Sequence, residues 1–518
     1  MRAALTQHSG AVGGVHNDPR VLRAHPPRPL LERLQLSLEE AIRLALEYNL
    51  AIKRERYSPQ IASTEVSKAR AAFDPVVGVD TQVSETKDLP TTRTLAADAA
   101  GNIIGEQIFR QSSHRDEITP RLQQKVLLGS TYELRFVHSR QSITPSEVGI
   151  TSQIVDPRFE SRLDLSFTQP LLRDFGIAVN TTAIRQAQLG ERIAEQQLIQ
   201  VILDTLFTVQ QQYWELVFRI QDLDVKRESQ QLAEQFLAEN KQRVELGLLP
   251  PIELIQAETR IKTRQADTIQ AAAAVRTAED QLKEVLNIPG FSGTWQIRLR
   301  PSDRPPFTPT TGISLEEQVD VALKKRPDFL RSQLDIAARE IARNFARNQR
   351  LPRLDIVGSA NVQAFGAGFD ESAGRLRKAE GYAWAVGLRF EQPLGNRSAR
   401  SELLKRNLEL QQAQVDQERL LLTIIREVAQ AIRDIETLHE EMEVTRTATV
   451  LAHQQLEAEQ EKFRLGLTTS FDVLALQEEL SVARTRETGA LNDYNVALAR
   501  LDQVTGKLQY EGTTATTK

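Results

Sequence analysis

The chain has 518 residues, with 65 basic against 69 acidic side chains, a net charge of −4 and no cysteine. Charges of both signs are interspersed, which excludes a nucleic-acid footprint. The lack of cysteine excludes a disulfide framework, a thiolate metal site, a cysteine nucleophile and a lipid-modified N-terminal cysteine.

No run of about 18 apolar residues is present, so no transmembrane helix is expected. Residues 1–35 form an unassigned segment without a recognisable secretory signal: Met1 to Leu30 holds three histidines and four prolines and no apolar core. A first structural repeat is expected over 36–290. It opens on Ser37-Leu38-Glu39-Glu40, where Ser37 is an N-cap and Glu40 stands at the capping-box position. After Pro75 the period changes from 3.6 to 2. Val77, Val79 and Val83 alternate with Gly78, Asp80 and Gln82, giving a strand over 75–86. A second strand follows at 160–170, with Leu163, Leu165 and Phe167 against Arg162, Asp164 and Ser166. Between them, about 87–159 is an inserted loop or hairpin. Arg121 to Leu128 and Thr131 to His138 form a possible strand pair, but a surface loop is the preferred reading because the second repeat has no counterpart.

A long helix is then predicted over 178–246. Large apolar residues at Leu198, Ile202, Leu206, Val209, Tyr213, Leu216, Ile220 and Leu223 fall about 3.5 residues apart, the spacing at which helices coil around neighbours. At 1.5 Å per residue this is a rod of roughly 100 Å. It ends at Leu246-Gly247-Leu248 and a return helix follows over 251–287. Residues 291–313 read as a connector containing Trp295.

The pattern then repeats over 314–507. Ser314-Leu315-Glu316-Glu317 echoes the opening phrase, and Ser314 is as far beyond Ser37 as Pro352 is beyond Pro75. Two landmarks with one offset mark a duplication. Strands are expected at 352–365 and 381–393, a long helix at 398–465 ending at Leu465-Gly466-Leu467, and a return helix at 470–505. Residues 508–518 are a polar tail. Enzymatic readings fail. His439-Glu440-Glu441-Met442-Glu443 lacks the second histidine of a zinc-protease helix and reads as a solvated face. Gly366-Ala367-Gly368 reads as a hairpin loop that opens no helix. No nucleophile elbow, cofactor motif or metal cluster is present.

One strand face is apolar and the other small or polar. Helices that leave the strand ends as rods offer this sheet no cover, whereas lipid outside and water inside would satisfy both faces. Four strands cannot close a barrel with a usable lumen, so several copies must share one. The duplicated Ser-Leu-Glu-Glu helix, the two strand ends at Gln169-Pro170-Leu171 and Gln392-Pro393-Leu394, the Leu-Gly-Leu tips and the final Leu501-Asp502-Gln503-Val504-Thr505-Gly506 together resemble the TolC-like outer membrane efflux protein family over residues 36 to 507. The resemblance implies an α+β membrane channel. In it a homotrimer forms a cell-outer-membrane β-barrel continued by a periplasmic α-helical coiled-coil tunnel, without cofactor or metal. It also implies an exit duct for a tripartite efflux or type I secretion system. The duct's partners would be a periplasmic adaptor (membrane fusion) protein, an inner-membrane pump and outer-membrane lipid.

By the same resemblance Asp472, with Glu253 in the other half, constricts the periplasmic entrance. Leu246, Gly247, Leu248, Leu465, Gly466 and Leu467 form the tip turns that meet the adaptor. As bare residues, both acids equally suit a helix N-terminus, where the macrodipole favours them. Phe463 and Thr468 stand where well-known members carry a tyrosine and an arginine, and Ala475 where they carry a second acid. The alternative reading is a soluble coiled-coil scaffold without channel activity. An outer-membrane protein must cross the inner membrane, so an in-frame hydrophobic stretch is expected upstream of Met1 in the gene. Sequencing that region checks this, and a stop codon directly before Met1 would count against it.

Overall fold

The computed structural model describes residues 33–87, 93–97, 99–108, 111–145, 157–247, 249–288, 295–307 and 312–507. Among these, the strands are β1 (Arg33–Leu36), β2 (Val76–Lys87), β3 (Arg93–Ala97), β4 (Ile103–Ile108), β5 (Gln111–Lys125), β6 (Thr131–Pro145), β7 (Arg158–Pro170), β8 (Arg298–Pro301), β9 (Arg353–Gly366) and β10 (Gly381–Glu391). The helices are α1 (Leu38–Tyr48), α2 (Leu50–Glu55), α3 (Tyr57–Arg70), α4 (Ile177–Asn180), α5 (Thr182–Glu245), α6 (Ile252–Leu286), α7 (Leu315–Lys325), α8 (Pro327–Gln349), α9 (Phe369–Leu376), α10 (Arg397–Arg464) and α11 (Ser470–Thr505).

The chain forms two compact units. The first comprises Ile202–Ile313, Gln430–Gln503 and the described chain up to Lys53; the second comprises Arg54–Val201, Ser314–Ala429 and the chain from Val504 on.

In the first unit, Ser37 caps α1 with both bonds of a capping box, since its hydroxyl accepts from Glu40 N and its own N–H donates to Glu40 Oε2. Apolar residues of α1, α5 and α6 close a core around Ala41, Ala45, Tyr213, Leu216, Leu282 and Leu286. The Tyr213 hydroxyl lies 3.0 Å from both the Leu36 carbonyl and Asp303 Oδ2, and burial pushes its phenol pKa up. Two expectations are corrected here. Arg33–Leu36, placed in the unassigned segment 1–35, is a strand, and Arg298–Pro301 within the connector 291–313 is its parallel partner. Four residues of alternation are too short a run to read as strand beforehand.

The second unit holds a six-stranded antiparallel sheet in the order β10-β9-β7-β6-β5-β2. The inserted stretch 87–159, read as a loop, instead supplies β5 and β6, each 15 residues long. They separate β2 from β7, so the two strands expected to pair within the first repeat are not neighbours. Nor does Gly366-Ala367-Gly368 end in a plain hairpin loop. The short α9 follows it and packs on the strands, with Ser372 Oγ 3.0 Å from Ser161 Oγ and Phe369 edge-on to His138. A Cβ at Gly366 would meet Ser372 N at 2.7 Å, so only glycine allows this approach.

The helical runs that precede Pro75 and Pro352 are broken at equivalent places, Asn49 and Arg326, which share the offset of the two prolines. Asn49 accepts from Ala51 N and Ile52 N and thereby restarts the chain as α2. Arg326 precedes a proline, which forces it into an extended conformation. Its guanidinium then binds Asp328 twice, at 2.7 and 3.0 Å, Glu427 at 2.8 Å and the Val504 carbonyl at 3.2 Å. Burial pushes the Asp328 carboxyl up, but the Arg326 bonds and charge prevail and hold it below the usual range. A depressed carboxyl stabilises the fold above its unfolded pKa of about 4 and loses that contribution as pH falls through its folded value. Arg326→Met is therefore expected to cost about 3–5 kcal/mol, because it strands two part-buried carboxylates. Chemical denaturation should show that deficit at neutral pH and a shrinking one below about pH 4.

Candidate functional site

Strand register sorts the side chains of the six-stranded sheet. One face carries Val77 and Val79 on β2, Leu122 on β5, Leu134 and Phe136 on β6, Leu163, Leu165 and Phe167 on β7, Leu354 and Ile356 on β9, and Tyr382, Trp384, Val386, Leu388 and Phe390 on β10. This apolar face is open: Trp384 is 72 % exposed and Leu388 73 %. From Tyr382 to Phe390 the row runs about 26 Å along the strand at 3.3 Å per residue.

The opposite face is charged and closely paired. Arg121 bridges to Asp80 at 2.9 Å, Arg162 to Asp164 at 3.1 Å, Arg115 to Glu117 at 3.1 Å and Arg353 to Asp355 at 2.6 Å. Asp355 is only 1 % exposed. A water-soluble sheet buries its apolar face; this sheet leaves most of its apolar face uncovered.

In the first unit, two helix hairpins end in glycine turns. Gly247 and Gly466 both have positive φ, 73° and 76°. The second turn is a complete Schellman motif, with Gly466 N donating to the Phe463 carbonyl at 3.1 Å and Leu467 N to the Lys462 carbonyl at 2.9 Å. Leu246, Leu465 and Leu467 are about 70 % exposed; Leu248 lies outside the described residues. Leu249, by contrast, packs on an apolar cluster of Phe236, Ala257, Ile261, Phe463, Val473 and Leu474 that fills the space between the helices.

Asp472 is the third residue of α11 and serves the helix end. Its Oδ2 accepts from Thr469 Oγ1 at 2.6 Å, Thr469 N at 3.2 Å and Thr468 Oγ1 at 3.0 Å, while its own N–H points to Thr469 Oγ1 at 3.4 Å. This is a reciprocal cap on a threonine N-cap. The bond from the Thr469 hydroxyl, then those from its amide and from Thr468, hold the carboxyl below its usual range. Oδ1 has no protein partner among the described residues. Thr468 also lies 2.5 Å from Glu459 Oε1, so it sits between two carboxylates. Glu253, in the first turn of α6, has a buried Oε2 that accepts no hydrogen bond. The structure does not bring Glu253 and Asp472 into contact.

Other residues join the two hairpins. Asn240 Nδ2 donates to Ser470 Oγ at 3.0 Å with both side chains fully buried. Arg243 lies over the Phe463 ring at 4.7 Å and points a donor at its carbonyl. Arg264 is buried, donates to Ser229 Oγ and to the Leu474 carbonyl at 3.1 Å, and reaches Glu478 at 3.4 Å.

Residues 319–507 match the family model described as Outer membrane efflux protein. Outer membrane protein TolC of Vibrio cholerae is 22 % identical over 348 residues, spanning 66 % of this chain and 76 % of its own. The chain is similar to TolC at this level, and the family model matches its second repeat. The crystal structure of the Campylobacter jejuni CmeC outer membrane channel superposes with a TM-score of 0.62 at 16 % identity, covering 90 % of this chain and 85 % of that one. Vibrio cholerae VceC gives 0.62 at 16 %, covering 90 % and 96 %. At such identities these structures show the fold. CmeC is an outer membrane channel, and TolC and VceC are outer membrane proteins.

The tip turns were legible from their glycines. Asn240, Ser470 and Arg264 were not, since a polar side chain within a helix gives no sign of whether it faces water or another helix. His439, expected on a solvated face, is half-buried with its ring stacked on Phe307 at 5.5 Å, because the connector folds over it. The capping role of Asp472 carries a pH signature. Its depressed carboxyl supports the first turn of α11 above the unfolded pKa of about 4, and that support disappears as pH falls through the folded value. Hydrogen exchange at 470–473, corrected for intrinsic rates, should therefore speed up in acid. Asp472→Asn is expected to show weaker protection at pH 7 and no such step.

Proposed function

We propose that this chain is the outer-membrane exit duct of a tripartite efflux or type I secretion system. It would pass substrates passively from a periplasmic adaptor and inner-membrane pump to the exterior. The observation that carries this reading is the six-stranded sheet with its apolar face outward and its ion-paired face inward. Only a hydrocarbon surround makes that arrangement favourable, and the apolar row matches the roughly 25 Å band of a barrel wall.

The edges of the sheet support the oligomer. Among the described residues, β10 and β2 have no strand partner on their outer sides, and open edges are not tolerated in lipid. Three copies meeting edge to edge would close the wall. On α10, Leu408, Val415 and Leu422 are exposed at seven-residue intervals, the repeat of a coiled-coil seam awaiting a neighbour. The helical unit would then continue the wall as a periplasmic tunnel. Its exposed tip leucines would receive the adaptor. Asp472, through its uncommitted Oδ1, and Glu253 would form a cation-attracting entrance when symmetry brings their copies together. A soluble scaffold would have to hold Trp384 and its whole row in water, and nothing in the structure favours that.

The test is the native mass of the chain, expressed behind a surrogate signal and extracted from outer membranes in detergent. The expected protein mass is three times 58.3 kDa, with ion-conducting channels in planar bilayers whose cation preference falls in Asp472→Ala. A water-soluble monomer absent from the membrane fraction would refute the proposal.

A further inference from the structure

The inserted hairpin β5–β6 continues the sheet in every respect that a wall requires. β2 pairs with β5 without a break from Val76↔Gln123 to Lys87↔Ser112, and β6 pairs with β7 from Thr131↔Thr168 to Gln141↔Arg158. Both faces run on across it as far as Ile118 and Phe136, beyond which Asp116 and Arg140 pair at 3.8 Å on the apolar side. Leu122 and Leu134 sit in the apolar face between Val77 and Leu165, while Arg121 and Arg135 sit in the charged one. Ion pairs cross both junctions, Arg121 to Asp80 at 2.9 Å and Arg135 to Asp164 at 3.9 Å. A surface appendage has no reason to alternate in phase with the strands on either side of it, because a one-residue slip would turn every side chain to the wrong face.

We infer that β5 and β6 are staves of the barrel and that they widen the duct, so that it admits bulky hydrophilic cargo of either charge. The inference rests on the trimeric channel reading above. Three copies of the six-stranded sheet give eighteen strands; without the hairpin, four strands per copy would give twelve. Diameter grows roughly linearly with strand number. With strands about 4.8 Å apart and tilted by about 40°, the backbone wall is about 35 Å across against about 24 Å for twelve strands. The cross-section is about twice as large, wide enough for a hydrated chain with helical segments about 10–12 Å thick. The lining acts on cargo in the same direction. Its arginines stand beside carboxylates, so the wall presents paired charges and no field of one sign.

The absence of cysteine makes the test direct, since introduced pairs meet no native thiol. Two variants place cysteines at register partners, Thr81→Cys with Ile118→Cys for β2–β5 and Leu134→Cys with Leu165→Cys for β6–β7. A third, Val79→Cys with Leu165→Cys, tests direct contact of β2 with β7. In trimers extracted from membranes, the first two pairs are expected to link within one chain and the third to stay reduced. Polyethylene glycols added from the outer side should also enter the wild-type barrel up to a clearly larger size than they enter a variant lacking 111–145. Trimers in which the third pair links, or in which deletion leaves the size limit for polymer entry from the outer side unchanged, would overturn the widening while leaving the channel reading intact. A chain that never trimerises would overturn both.

Discussion

A strand turns successive side chains to opposite faces, and adjacent strands must share hydrogen bonds, so one register decides the surroundings of a whole sheet. Here that register gathers valine, leucine and the aromatic residues on one side and arginine–carboxylate pairs on the other across six strands. Once this separation is set, little burial in protein is available to the apolar side, because the long helices leave from the strand ends and only α9 covers one end of it. In the proposed channel, lipid takes that place. The polar side, being paired within itself, neither needs cover nor offers a strong charge.

The helical unit solves a different problem. Two long helices must reverse sharply, and both do so through a glycine with positive φ, with a capped return helix behind the second. The cluster around Phe236 and Phe463 gives the turns a packed interior, and Asn240, Arg243 and Arg264 tie one hairpin to the other. Asp472 is both cap and candidate charge at the entrance. The cap uses Oδ2, and Oδ1 has no protein partner among the described residues. Any substitution of this residue will therefore disturb helix order as well as charge, and the two effects separate only when exchange and conductance are measured together.

Much of this was legible because the sequence is periodic over long stretches. The change from period 3.6 to period 2 after each proline marks where helix gives way to strand, and the constant offset between paired landmarks ties the two copies together. The failures have physical causes. β5 and β6 were discounted because duplication was used as the guide and the second copy has no equivalent. Their own alternation, Glu117, Thr119 and Arg121 against Ile118 and Leu122, was the better signal. β1 and β8 are too short to announce themselves, and parallel pairing between strands so far apart in the chain leaves no local trace. α9 after Gly368 was missed because the glycines were read as a hairpin loop, and a helix of 8 residues is too short to show a clear period. The contacts at the tips depend on which face of a rod meets which neighbour, and spacing alone does not reveal that.

The two unpaired edges of the sheet have a consequence for the life of the chain before it assembles. A newly made copy carries an open row of valine, leucine and tryptophan bounded by bare backbone donors and acceptors, which is the surface from which strands aggregate. In the proposed channel, folding, association and insertion would therefore not be separate events for this sheet. Its wall would reach a stable state only when the last edge closes, so assembly would depend steeply on local concentration. Until then the chain needs an escort that shields the apolar face and occupies the edges.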